Sequence, residues 1–299
     1  MTRVELPPSV IENLRAFGED GPRWAARFQQ TLDGALARWG LTLEAPYEAL
    51  SYNFVARVRR GAEPLVLKLG VPNPELTSEI EALAAFAGRG AVGLRAADPE
   101  RGALLLERVE PGTPLSALED DDRAMVIAAE LLQSLWRDAP DGDRFWSVAR
   151  WGRAVTALHA AGGSPHVRDD HLEAAHRLLQ TPSTKSILLH GDYHQLNVLQ
   201  RHDGSWVAID AKGAVGDRGY ELWPLMLNCL DCADPVARLL ARARRLAAEL
   251  GFVPEFVLEW TRAGAVLNLA WTIEDGSPHP DAAHRKLSLA DEALARLRA

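Results

Sequence analysis

The stretch from residue 186 to 210, SILLHGDYHQLNVLQRHDGSWVAID, decides how the rest of the chain is read. Ile187-Leu188-Leu189 is a short apolar run that predicts a buried strand. His190 to Asn197 is polar and predicts a loop. Val198 to Arg201 and Trp206 to Ile209 are strand-like, and Asp203-Gly204 between them is a strong hairpin signal. With the turn centred on Asp203 and Gly204, antiparallel pairing sets Asn197 opposite Asp210. An amide oxygen and a carboxylate then meet at the open end of the hairpin. Two hard oxygen donors there suit Mg²⁺, which takes one or two carboxylates together with phosphate oxygens and water. Asp192 lies on the loop that feeds the same mouth. His190 and His194 sit on that loop with no third ligand at zinc spacing, so zinc is not expected. His190 reads as a hydrogen-bonder that fixes the loop, and His194 as loop support or a substrate contact.

One carboxylate for a proton, with an Asn and an Asp for metal, is the division of labour in protein-kinase-like phosphoryl transfer. HGDYHQLN, then Ile209-Asp210 within AIDAKGAVGDRGYELWPLM, resembles the aminoglycoside and hydroxyurea antibiotic phosphotransferases of the streptomycin 6-kinase type. Protein kinases carry Arg before the first Asp and Asp-Phe-Gly at the second. This chain has Gly191-Asp192 and Asp210-Ala211-Lys212. The resemblance implies an α+β, bilobal, protein-kinase-like fold that transfers phosphate from ATP, or another nucleoside triphosphate, to a hydroxyl of a small molecule. Asp192 would orient the hydroxyl or accept its proton, and Asn197 and Asp210 would hold Mg²⁺.

Upstream, Tyr47 to Gly70 predicts a hairpin turning at Arg60-Gly61-Ala62-Glu63. Lys68 stands in its apolar return strand, where a lysine calls for an anionic partner. Residues 73 to 88 predict a helix with Pro74 near its start, Gly88 at its stop and Ile80, Leu83, Ala84 and Ala87 on its core face. In the resembled kinases this lysine contacts the α- and β-phosphates and is held by a helix glutamate. Glu79 and Glu81 cannot share one face, and Glu79, one turn before Leu83, is the expected partner. No glycine-rich phosphate loop is present, since no glycine occurs between Gly40 and Gly61. Ser51 and Asn53, at the first strand bend, either donate to a phosphate or simply form the turn. Gly93 to Val109 predicts a second hairpin, and by resemblance Glu107 to Val109 is the hinge whose backbone reads adenine.

Pro111-Gly112-Thr113-Pro114 breaks regular structure and marks the expected boundary between a nucleotide-binding lobe, 1–109, and a helical catalytic and substrate-binding lobe, 110–299. Residues 1–44 read as a helical extension of the first lobe, with apolar spacing closed by Gly18 and then Gly40. Beyond 115, helices are expected over 120–136, 144–160, 169–179, 222–230, 235–250, 254–273 and 281–298. Strands early and helices late argue a small β-rich lobe and a larger helical one.

The chain has 299 residues, a net charge of −8 and 47% hydrophobic content. This is ordinary for a globular protein and argues against a nucleic-acid partner held by phosphate contacts. A cationic small-molecule substrate suits the acidity, and the resemblance implies a guanidinium- or amine-bearing sugar. Asp231, Asp234, Glu274 and Asp275 are the candidate carboxylates for it, and Asp217 and Arg218 are expected nearer the phosphates. No secretory signal and no membrane-spanning run are visible. Cys229 and Cys232 lie in or beside an apolar run and are expected as buried free thiols of a cytoplasmic protein. The expected state is a monomer or weak homodimer. A kinase for an amino alcohol or sugar, and a kinase-shaped nucleotide-binding module without transfer, are the alternative readings.

Overall fold

The computed structural model describes residues 3–48, 50–142, 144–182, 185–276 and 280–299. The chain divides into two compact units, Met1–Glu110 and Pro111–Ala299.

The first unit opens with α1 (Pro8–Asn13), a 3-10 turn over Leu14–Phe17, and α2 (Asp20–Trp39), which ends on left-handed Gly40. A five-stranded antiparallel sheet follows, in the order β1-β2-β3-β5-β4. Its strands are β1 (Thr42–Pro46), β2 (Phe54–Arg60), β3 (Glu63–Leu69), β4 (Leu94–Asp98) and β5 (Ala103–Glu107), with α3 (Pro74–Phe86) between β3 and β4. Trp24, Phe28 and Leu32, spaced by helical turns, bury one stripe of α2 against Phe54, Ala56, Val58, Leu65, Leu67 and Leu69. The Phe28 and Phe54 rings meet edge-on at 4.8 Å. Each such fully buried side chain contributes roughly 1.5–3 kcal/mol. Strand side chains alternate. With Leu65, Leu67 and Leu69 packed in the cluster that holds α2, Lys68 turns to the opposite face.

Two expectations for this unit need correction. The helical extension does not reach 44, because Thr42–Pro46 is an edge strand paired with β2. The buried face of α3 is Leu76, Glu79, Ala82, Leu83 and Phe86, whereas Ala84 and Ala87 are exposed. The bulky Leu76 and Phe86 set the stripe, and they rotate it so that Glu79 lies inside it. Asn73 caps this helix by accepting from the Glu75 and Leu76 N–H groups, and Ala87, at φ 50°, ends it one residue before Gly88.

In the second unit β6 (Pro111–Pro114), β10 (Val198–Arg201) and β11 (Trp206–Ala208) form a three-stranded sheet with β10 in the middle. Residues 111–114 are thus a strand and not a break in structure. A four-stranded sheet takes β7 (Arg137–Asp138), β9 (Ile187–Leu189), β12 (Ala214–Gly216) and β8 (Trp146–Ser147) in that order. The helices are α4 (Asp121–Leu135), α5 (Val148–Trp151), α6 (Arg153–Ala160), α7 (Asp169–Gln180), α8 (Leu222–Leu227), α9 (Pro235–Leu250), α10 (Pro254–Glu274) and α11 (Asp281–Arg298). The single helix expected over 144–160 is instead β8, α5 and α6, with the break at Gly152. Helix α10 is buried along most of its length and packs against α6, α7, α8, α9 and α11. Helix α8 stops at Leu227, so Cys229 is exposed and Cys232 half-buried. Both are free thiols, but they are not core residues.

Candidate active site

The hairpin at the centre of the sequence reading forms one register away from the expected pairing. Val198 pairs with Ala208 and Leu199 with Val207, and the Ile209 N–H donates to the Asn197 carbonyl at 2.9 Å. Asn197 is therefore level with Ile209, not Asp210. The cause lies in the turn. Gly204, at φ 82°, is the third residue of a three-residue loop closed by Arg201 and Ser205, a type I turn with a left-handed last residue. Asp203 supports it by accepting from the Ser205 N–H and hydroxyl. Asp210 comes just after the ladder in a left-handed conformation, φ 60°, which is uncommon for a residue with a side chain and tends to mark functional positions.

The loop from β9 to β10 is held from below by two buried groups. His190 is fully buried; its Nε2–H donates to the Ile209 carbonyl at 2.9 Å, and its Nδ1 accepts from the Asp192 N–H at 3.3 Å. Burial lowers its pKa to about 4, so the ring stays neutral. Glu221, also fully buried, accepts from the His190 N–H at 2.6 Å and the Gly191 N–H at 2.8 Å. Burial raises its pKa to about 7 against the pull of those two N–H donors. Gly191 has φ 88°, and a Cβ there would press the Lys212 Cβ at 3.2 Å.

Above this floor stand the reactive side chains. Asp192 is half-buried, and burial raises its pKa, opposed by His194 and Lys212 and reinforced by Asp210. His194 accepts the Leu196 N–H at Nδ1, which leaves its Nε2–H facing Asp192 Oδ1 at 3.6 Å. The Asn197 amide nitrogen donates to the Asp192 carbonyl at 3.0 Å, and its amide oxygen is the atom left for a cation. Lys212 Nζ lies 3.2 Å from Asp210 Oδ2. A lysine ammonium against this carboxylate shows that the position accepts positive charge. One carboxylate and one amide oxygen fit Mg²⁺, which leaves most of its shell to phosphate and water. Among the described residues there is no cluster of three or more His, Cys, Asp or Glu that could form a closed metal cage.

In the first unit, Lys68 Nζ lies 2.7 Å from both oxygens of Glu79, and the two side chains are 6% and 5% exposed. Glu81 is not the partner of that pair. Asn53 packs against Gly70, where a Cβ would fall 2.1 Å from its Oδ1, while Ser51 is exposed and its carbonyl accepts from Asn13. Glu107 ends β5 with its carboxylate accepting from the Gly93 N–H, and half-buried Val109 follows.

The remaining expected residues are more dispersed. Asp234 caps α9 through the Ala237 N–H. Asp231, Glu274 and Asp275 are exposed. Asp217 caps a 3-10 turn through the Gly219 N–H, and Arg218 lies over the Trp136 and Phe252 rings. Both line a separate cavity of about 420 Å³ with Trp136 and Lys185, which corrects the expectation that they serve the phosphates. Sequence reasoning missed Glu221 and Lys212. The signal for Glu221 was a carboxylate inside the apolar run Tyr220-Glu221-Leu222-Trp223, the same signal that singled out Lys68.

This α+β arrangement is a protein-kinase-like fold. Choline kinase LicA from Streptococcus pneumoniae shares the fold, with a TM-score of 0.62 at 14% identity over 90% of this chain and 99% of that one. The family model for aminoglycoside/hydroxyurea antibiotic resistance kinases matches residues 38–276. A streptomycin 6-kinase of Streptomyces glaucescens is 34% identical over 94% of each chain. A hydroxyurea phosphotransferase of Kitasatospora aureofaciens is 34% identical over 91% of this chain and 82% of its own. The chain belongs to the aminoglycoside/hydroxyurea antibiotic resistance kinase family. It is a small-molecule phosphotransferase, and as a kinase it binds nucleotide. Among the described residues no helix is long and apolar enough to cross a membrane.

Proposed function

We propose that the chain transfers the γ-phosphoryl group of Mg²⁺-ATP to a hydroxyl of a guanidinium- or amine-bearing sugar of the streptomycin type. The observation that carries this reading is the Asp192 loop. A half-buried carboxylate with a raised pKa stands beside an amide oxygen and a second carboxylate. The relatives named streptomycin 6-kinase support the choice of acceptor. A relative named for hydroxyurea keeps that small acceptor as the second reading.

Asp192 receives the acceptor hydroxyl and takes its proton as the oxygen bonds to the γ-phosphorus. The bond from phosphorus to the bridging oxygen breaks, and ADP leaves. A magnesium ion held by Asn197 and Asp210 would neutralise phosphate charge in the transition state. Lys68, held by Glu79, meets the α- and β-phosphates, and the backbone of residues 107–109 reads the adenine edge. The first unit therefore serves the nucleotide, and the second serves the metal and acceptor. Little covalent chemistry is asked of the side chains, so positioning and charge neutralisation carry the rate.

A coupled ADP-release screen over aminocyclitols, hydroxyurea, amino alcohols and sugars tests the proposal. Acceptor-dependent release with a guanidinium-bearing aminocyclitol is expected. Release only with amino alcohols or simple sugars would move the chain to another acceptor class, and nucleotide binding without any release would make it a binding module.

A further inference from the structure

The second unit carries four tryptophans in one continuous chain of ring contacts that phosphoryl transfer does not use. Trp146 of β8 and Trp151 of α5 meet at 4.9 Å, Trp151 and Trp271 of α10 at 6.3 Å, and Trp271 and Trp223 of α8 at 6.1 Å. Trp223 is the buried anchor. It packs so tightly on α10 that a Cβ on Gly264 would fall 2.1 Å from its Cγ. The other three are half-buried, so each keeps some indole surface accessible.

The sheet places this wall beside the catalytic loop. Trp146 pairs in parallel with Ala214, and paired residues on neighbouring strands project to the same face. The Ala214 Cβ lies 3.5 Å from where a Cβ on Gly191 would sit. The face that carries Trp146 is therefore the one toward which Gly191, the residue before Asp192, is turned.

Two further observations bear on what the wall takes. The Arg150 guanidinium already stacks on the Trp146 ring at 4.0 Å, and no carboxylate pairs with it among the described residues. That surface therefore accepts a planar cation on an aromatic face. Glu274, the last residue of α10, and Asp275, its C-cap, are exposed three and four residues after Trp271, a spacing that puts them on the same side of the helix.

We propose that Trp146, Trp151 and Trp271 form the acceptor-binding wall of this enzyme and recognise the flat cationic group of a guanidinium-bearing sugar. Arg150 stands in for that group when no acceptor is bound. The wall rests on the acceptor class proposed above and supplies the residues that read it. Aromatic faces bind the cation, and the carboxylates at the end of α10 neutralise it. Because they act on the acceptor alone, these residues set specificity without touching the nucleotide.

Calorimetric binding of streptomycin to the full chain, alongside ADP-release kinetics, tests the wall in Trp146→Leu, Trp271→Leu and Trp271→Phe variants. The wild-type chain is expected to bind streptomycin. Each Leu variant should weaken that binding and raise the acceptor KM at least tenfold, while the ATP KM and the thermal midpoint stay near wild type. Trp271→Phe should recover most of the loss, because it restores an aromatic face. Wild-type binding by the Leu variants would overturn the proposal. So would failure of the wild-type chain to bind streptomycin, or losses in ATP KM and thermal midpoint that match the loss of acceptor, which would make the tryptophans plain core. If streptomycin binds through the wall but no acceptor yields ADP, the wall stands and the transfer reading falls.

Discussion

At the scale of single residues, the account turns on two buried or half-buried charges. The carboxyl of Asp192 is held above its ordinary range by burial. The reaction needs its deprotonated form, so the acid limb of kcat/KM should fall at a higher pH than an exposed aspartate would give. A pH–rate profile checks this, and the limb should vanish in Asp192→Asn along with the activity. Lys68 is as clear a case. Lys68→Met leaves the Glu79 carboxylate buried without its ammonium, at a cost of about 3–5 kcal/mol. Denaturant unfolding should show that loss, and the KM for ATP should rise with it. Lys68 was legible from sequence because a lysine stays in an apolar strand only where an anion meets its ammonium. Its partner could be narrowed to Glu79 because the two helix glutamates point to different faces.

At the scale of elements, Glu221 ties the start of α8 to the catalytic loop. Glu221→Ala would leave the His190 and Gly191 N–H groups buried without acceptors, each costing about 1–3 kcal/mol. The pKa of Glu221 is raised from the unfolded value of 4.5 to about 7. The folded state thus binds this proton more tightly than the unfolded state. Its contribution to stability is fully present below about pH 4.5 and is lost as pH rises through 7. His190, with its pKa lowered from 6.5 to about 4, adds stability as pH rises over part of the same range, so the Glu221 contribution is read as a difference: denaturant midpoints measured from pH 4.5 to 8 should fall in the wild type relative to Glu221→Gln, and parallel curves for the two proteins would contradict it. Glu221 was marked locally as a carboxylate in an apolar run, but its partners, 30 and 31 residues away, follow no local pattern. The short strands were missed for a related reason. β7 and β8 have two residues each, too few for an alternation to register, and β1 is a half-exposed edge strand. The hairpin itself was legible from Asp203-Gly204, but its register depends on whether Gly204 closes a two- or a three-residue loop. Composition does not distinguish those two cases, and the one-residue slip followed. Asp210 follows the shifted ladder in a left-handed conformation.

At the scale of the whole molecule, strands early and helices late were enough to read a small β-rich lobe and a larger helical one, while the kinase-like class came from the resemblance carried by HGDYHQLN and Ile209-Asp210. The long amphipathic helices α2, α4, α9 and α11 were read closely because their apolar spacing repeats over several turns. Long-range packing was not readable: no periodicity in the sequence announces that Trp146, Trp151, Trp223 and Trp271 meet. Ligand binding should be visible at this scale too. A nucleotide that binds only the folded chain stabilises it by about 2.7 kcal/mol at one hundred times its Kd. The thermal midpoint should therefore rise with Mg²⁺-ATP, and less with ATP and a chelator. In Asp210→Asn the Mg²⁺-dependent part of the rise should be lost.

The most direct test of the central claim is the mass of a streptomycin-type acceptor after incubation with Mg²⁺-ATP and either the wild-type chain or Asp192→Asn. The account predicts one added phosphoryl group with the wild type and, at the same time point, at least a hundredfold less product with Asp192→Asn, whose binding of Mg²⁺-ATP is retained. Equal phosphorylation by the two proteins would contradict it.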